Sequence, residues 1–166
     1  MIHLQMIHTT GLDQRTVHNL IHNIWPAPYA SDCVAVTQED GFDNPTGEIF
    51  AIVFTPAHGY QPRIIGITGY FGAETSKGWA YLRWTGVQTA FRRLGYMRES
   101  LKQLTTLLAG ANPLLRELIE LVPDNEYGRK TVMPAFEALG FKRDMTIPVP
   151  VGEDADWPVV PYVLTF

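Results

Sequence analysis

Between residues 48 and 87, three runs rich in apolar, β-branched and aromatic residues follow one another with only turns between them, at 48–55, 63–71 and 79–87. Beyond residue 94 the apolar period lengthens from two to that of a helix, and Met97, Leu101, Leu104 and Leu108 fall on one face. Three strands in succession followed by strand–helix alternation require one mixed sheet with helices packed on its faces, since each element must bury its apolar side against another layer.

The rest of the chain fits that frame. Residues 2–7 read as a short strand. Asp13 is placed to cap a helix at 14–24, whose Val17, Leu20, Ile21 and Ile24 share one face. Trp25-Pro26-Ala27-Pro28-Tyr29 ends that helix and begins an irregular stretch reaching Gly47. The second helix spans 94–108, with Gly110 as its stop. A strand at 116–122, a helix at 128–139 closed by Gly140, and strands at 141–148 and 159–166 complete the chain. An acidic loop with Glu153, Asp154 and Asp156 separates the last two strands. The expected class is α/β (α+β), one domain over 1–166, in the order β-α-βββ-α-β-α-ββ.

No apolar run approaches the ~20 residues of a membrane span, and the first residues lack the basic start and apolar stretch of a secretory signal. Cys33 is the only cysteine, so an internal disulfide is impossible. The expected compartment is therefore the cytoplasm. Thirteen basic against seventeen acidic side chains give a net charge of −4, which disfavours a nucleic-acid partner. The basic residues are unevenly spread, however. Arg83, Arg92, Arg93, Arg98 and Lys102 crowd one stretch, where a local anion site could form.

The segment Val87-Gln88-Thr89-Ala90-Phe91-Arg92-Arg93-Leu94-Gly95-Tyr96-Met97-Arg98 joins a strand to a helix. The first amides of a helix lack intrahelical acceptors and carry about half a positive charge, which suits a pyrophosphate. Gly95 permits backbone to approach a ligand closely, and arginine is well shaped for phosphate oxygens.

This segment resembles the coenzyme A-binding motif of the GNAT superfamily of acyl-CoA-dependent N-acyltransferases, Q/R-x-x-G-x-G/A. Arg92 stands at the Q/R position, Gly95 at the first Gly, Val87 at the strand end and Phe91 at the preceding aromatic. Met97 stands where Gly or Ala is usual and is expected to narrow the second close approach. Downstream, Pro134-Ala135-Phe136-Glu137-Ala138-Leu139-Gly140-Phe141 is similar to the family's late helix, with Gly140-Phe141 matching its G-F ending.

The resemblance implies a mostly antiparallel sheet, with helices on both faces and two central strands splayed apart around acetyl-CoA. It implies that the backbone of Arg93, Leu94, Gly95, Tyr96, Met97 and Arg98 grips the pyrophosphate. The Val87 amide would meet the thioester carbonyl or the pantetheine arm. The acceptor would be a primary amine on a small molecule, a peptide N-terminus or a protein lysine, with no membrane partner, no metal, and a dimer as one admissible assembly. Direct transfer needs a group to take the amine proton and one to protonate the thiolate. The family's helix tyrosine is here Phe136, which has no proton to give. Tyr127 is the substitute acid. Glu120 is the favoured base, with Asp124 and Glu74 as alternatives. Trp25 and Tyr29, on the proline-stiffened loop, are placed to shape the acceptor pocket.

Other residues carry plainer expectations. His18 and His22, at i and i+4, have no third partner for a metal and read as an exposed helix face. His58 belongs to a turn, and Cys33 reads as a quiet thiol. Three rivals remain open: a non-catalytic acyl-CoA-binding module, an acyltransferase that inactivates a macromolecule such as aminoacyl-tRNA, and a structural α/β domain that carries the motif by chance.

Overall fold

The computed structural model describes residues 1–7, 14–27, 30–31, 47–57, 60–73, 77–147 and 158–166. Asp13, Tyr29, Cys33, His58, Glu74 and the acidic loop lie outside them. Seven strands form one sheet: β1 (Ile2–Met6), β2 (Glu48–Phe54), β3 (Arg63–Phe71), β4 (Trp79–Val87), β5 (Glu117–Pro123), β6 (Lys142–Arg143) and β7 (Val159–Thr165). Their spatial order is β1-β2-β3-β4-β5-β7-β6, and only β4–β5 is parallel. That parallel step needs a crossover. The 96–111 helix supplies it.

Alternation along β2 shows how the faces are divided. Ile49 joins Val17, Leu20, Ile21 and Ile24 of α1 (Gln14–Ile24) on one face. Its neighbour Phe50 joins Leu101, Leu104 and Leu108 of α2 (Tyr96–Ala111) on the other. α3 (Met133–Leu139) adds Phe136 to this second core, where its ring meets Phe141 edge-on at 4.9 Å. The edge strand β1 is capped by α2: Gln103 donates to the Ile2 carbonyl at 3.1 Å and accepts from the Leu4 amide at 3.2 Å. The side-chain amide thus occupies backbone groups that an edge leaves open.

Three boundaries differ by more than one residue from the sequence expectation. The second helix starts at Tyr96, not 94, because Arg93 (φ 62°) and Gly95 (φ 80°) are left-handed. It also runs through Gly110 to Ala111. Its end is set by Asn112, which is extended before Pro113 and whose N–H still reaches the Leu108 carbonyl at 2.8 Å. The strand expected at 141–148 contracts to Lys142–Arg143, because the Asp144 carboxylate accepts from the Thr146 amide and hydroxyl and turns the chain. The late helix opens with a wide π turn over Gly128–Val132, before Pro134 withdraws an amide from the regular ladder. Gly140, left-handed at φ 101°, stops it as expected.

Leu104 is fully buried where α2 meets the sheet. Leu104→Ala is expected to lower unfolding free energy by about 2–5 kcal/mol in urea titration, the usual range for a leucine cavity.

Candidate functional site

β4 and β5 pair over three positions only, Trp79 with Glu117, Ala80 with Leu118 and Tyr81 with Ile119. β4 then continues to Val87 and β5 to Pro123 with no ladder between them, leaving a wedge-shaped cleft in the middle of the sheet. The cause lies in β4. Ile67 of β3 faces Gly86 and Gly69 faces Arg83, so Thr68 stands opposite both Trp84 and Thr85. This is a bulge, which bends and twists the strand that carries it. Trp84 takes the strained φ of 40°, a Thr68–Thr85 hydroxyl contact of 2.9 Å pins the bulge, and the Arg83 guanidinium lies 4.3 Å from the Trp84 ring centroid.

At the wide end, Gln88 donates its amide to the Ile65 carbonyl of β3 at 2.7 Å. Strand groups alternate, so the Val87 N–H and C=O turn the other way, toward the cleft. A short 3-10 turn, Thr89–Phe91, leads to Arg93 and Gly95. Among the described residues, no acceptor meets the amides of Arg93, Leu94, Gly95, Tyr96, Met97 or Arg98. Successive free N–H groups in left-handed turns form an anion-binding concavity, and the N-terminus of α2 adds its dipole. A Cβ built on Gly95 would have nothing within 4 Å. The space before the loop is open, and the glycine is required there by its φ.

The arginine side chains do something other than expected. Arg92 donates Nε to the Val87 carbonyl at 3.3 Å and Nη2 to the Ile24 carbonyl. It clamps the end of β4 to the C-terminus of α1, where a cation is favoured. Arg98 donates to the Ala138 carbonyl at 2.8 Å and ties the start of α2 to α3. Both bind backbone oxygens, so the local positive charge facing the loop comes from main-chain amides and exposed Arg93. Met97 does not narrow the approach, because its side chain packs inward against the cores containing Val87 and Leu101.

Glu120 is the first residue of β5 beyond the last β4 pair. It shares a strand face with Leu118 and Val122, members of the core that includes Phe136. The residue is partly exposed as a whole, yet its Oε2 is shut from water and, among the described residues, has no hydrogen-bond partner. Burial pushes its carboxyl up to about 8, so at neutral pH it is mostly protonated. That reverses the expectation of a ready base. Asp124, the alternative, is engaged by Arg129 at 2.8 Å on the surface. Tyr127 is half-buried at the entrance to the π turn.

Trp25 packs against β4 beside the cleft, where a Cβ on Gly86 would meet its indole at 2.8 Å. Tyr29 and Glu74 lie outside the described residues. His18 is half-buried with Nε2 shut from water and unpartnered, rather than lying on an open face, while His22 is exposed. Among the described residues no three His, Cys, Asp or Glu are grouped to hold a metal.

Sequence reasoning missed two features. Asn125 accepts the Gly128 amide at 2.8 Å and leaves its Nδ2 buried and unpartnered beyond the end of β5. Its spacing to Gly128 was the available signal, an Asx turn opening a helix. The bulge at Trp84 left no local signal.

No protein-family model matches this sequence, and no curated protein matches it. Solved structures do. An acetyltransferase of the GNAT family from Staphylococcus aureus Mu50 superposes with a TM-score of 0.68 at 12% identity, over 99% of both chains. The chain carries the GNAT fold. Spermidine N-acetyltransferase from Vibrio cholerae, in complex with CoA and spermine, matches at 0.62 and 14% identity over 99% of this chain and 95% of its own. An aminoglycoside acetyltransferase in complex with coenzyme A and kanamycin matches at 0.65 and 17% identity, with the same coverage. A GNAT fold is therefore reached here through a sequence that shares few residues with its structural relatives.

The raised carboxyl of Glu120 has a consequence for stability. The folded state holds this proton up to about pH 8 while the unfolded chain releases it near 4.5. The protein is expected to lose stability as pH rises from about 4.5 to 8. In Glu120→Gln that portion of the decline should vanish, as read from urea midpoints across the range.

Proposed function

We propose that this protein transfers an acetyl group from acetyl-CoA to a primary amine of a small molecule or peptide. The observation that carries the reading is the cleft between β4 and β5 with six unpaired amides, Arg93 to Arg98, at its wide end. A diphosphate fits those amides. The pantetheine arm then runs along the freed edge of β4, where Val87 offers an N–H, and the thioester reaches the point where the strands part. The CoA-bound state of the Vibrio and aminoglycoside enzymes supports the donor, and their spermine and kanamycin support an amine acceptor.

In this reading the amine attacks the thioester carbonyl within a ternary complex. Positioning supplies much of the rate, and a main-chain N–H stabilises the developing oxyanion. Glu120 is the group that exchanges a proton at this site, with Tyr127 as its alternative. Trp25, seated on Gly86, shapes the acceptor pocket; Tyr29, the other residue assigned to it, lies outside the described residues. Phe136 favours one second reading, a module that binds acyl-CoA without turning it over.

Acetyl-CoA at about 100 times its dissociation constant is expected to stabilise the fold by ~2.7 kcal/mol. Gly95→Val should cost about 1–2 kcal/mol of stability, from a side chain forced to positive φ, and should abolish the ligand-induced shift. Persistence of the shift in Gly95→Val removes the loop from the site. A shift without thiol release across an amine panel favours the binding module.

A further inference from the structure

We infer that Glu120 is the general acid of the transfer, handing a carboxyl proton to the departing coenzyme A sulfur, a role that Phe136 cannot fill. The inference rests on the acetyl-CoA reading above and assigns a role within that same site.

Position is the first support. Glu120 is the first β5 residue past Tyr81–Ile119, the last pair before the strands separate. An arm threaded from the amides of residues 93–98 down the cleft ends at this closure, because the paired strands leave it nowhere further to go. Orientation is the second. Alternation puts Glu120 with Leu118 and Val122, on the side of the sheet covered by α2 and α3, whose core contains Phe136. The third is the state of the carboxyl itself. Oε2 is shut from water and, among the described residues, without a partner. An unpaired charge in such a place is costly, whereas the neutral acid is tolerated and keeps an O–H to give.

The surroundings contain little that would ionise it. α2 presents Met97, Leu101, Leu104 and Leu108 to this core, β4 presents Ala80 and Leu82, and α3 presents Phe136 and Met133. β7 places Tyr162 directly opposite Glu120 in register, but its hydroxyl is donated to Glu137 at 3.1 Å. No cation among these residues faces the carboxyl. The elevated carboxyl value stated earlier agrees with that environment and falls near the ordinary range of a thiol, where proton transfer between the two is well matched.

The neutral amine nitrogen bonds to the carbonyl carbon, giving an oxyanion and a cationic nitrogen. The oxyanion re-forms C=O, the C–S bond breaks with its electron pair on sulfur, and the Glu120 proton passes to that sulfur. The nitrogen releases its surplus proton to solvent, and the Glu120 carboxylate regains one from solvent. The products are an amide and free coenzyme A, with no net proton consumed.

The test needs no acceptor. Free coenzyme A is bound to the wild type and to Glu120→Gln, binding is verified by thermal shift, and the bound thiol is titrated by the ultraviolet absorbance of its thiolate. Once ionised, a neighbouring Glu120 raises the pKa of the thiol, so the wild-type value should lie about 1–3 units above that of Glu120→Gln. Val122→Ala, on the same wall without an ionisable group, should keep the wild-type value. Equal thiol values in wild type and Glu120→Gln, with both proteins binding, overturn the assignment while sparing the coenzyme reading. Failure of the wild type to bind coenzyme A overturns both. Glu120→Met gives the same comparison should the glutamine variant not fold.

Discussion

The site depends on two adjacent strands that pair at one end and cannot pair at the other. Parallel β4 and β5 share three positions, and the bulge at Trp84 then turns β4 aside. Backbone groups that a continuous ladder would consume are left facing a cleft, and unpaired main-chain groups must find a partner in water or ligand. The strain of a tryptophan at positive φ is held by its surroundings: a threonine pair behind it and an arginine stacked over its ring. Such local cost commonly persists where the chain has a use for it.

The cleft is finished at each end by opposite chemistry. At the wide end are donors, the six free amides and the dipole of α2. At the narrow end is Glu120, whose Oε2 is shut from water and, among the described residues, without a hydrogen-bond partner. Arg92 and Arg98 serve the first end indirectly. By fastening α1 to β4 and α2 to α3 through backbone carbonyls, they fix the loop whose amides point outward. The crossover helix α2 packs Leu101 and Leu104 into the core that also takes in β4 and β5, and so holds the two parted strands in place.

Much of the fold was legible because it is written in apolar period. Val17, Leu20, Ile21 and Ile24 in α1, and Leu101, Leu104 and Leu108 in α2, announce helices with one buried face. The run of three strands announces the antiparallel half of the sheet. Gly95 and Gly140 were legible as well, since both take left-handed values that few other residues adopt. What escaped was set by contacts distant in sequence. Whether Arg92 turns to a ligand or to the Ile24 carbonyl is decided by where α1 ends. The fate of Glu120 follows from alternation plus knowing which face α3 covers. The bulge comes from the register of β3, which no local pattern in β4 encodes. Gly110 misled because a glycine inside a final helical turn looks like a stop, whereas Asn112-Pro113 is the one that acts.

The most direct measurement is a titration of uniformly 15N-labelled protein with coenzyme A, followed through backbone amide chemical shifts. The amides of residues 93–98 and of Val87 should move first and furthest, with Glu120 and its β5 neighbours following as the arm fills the cleft. Shifts confined to another surface, or none at millimolar coenzyme A, would contradict the reading of this parted pair of strands as a coenzyme site.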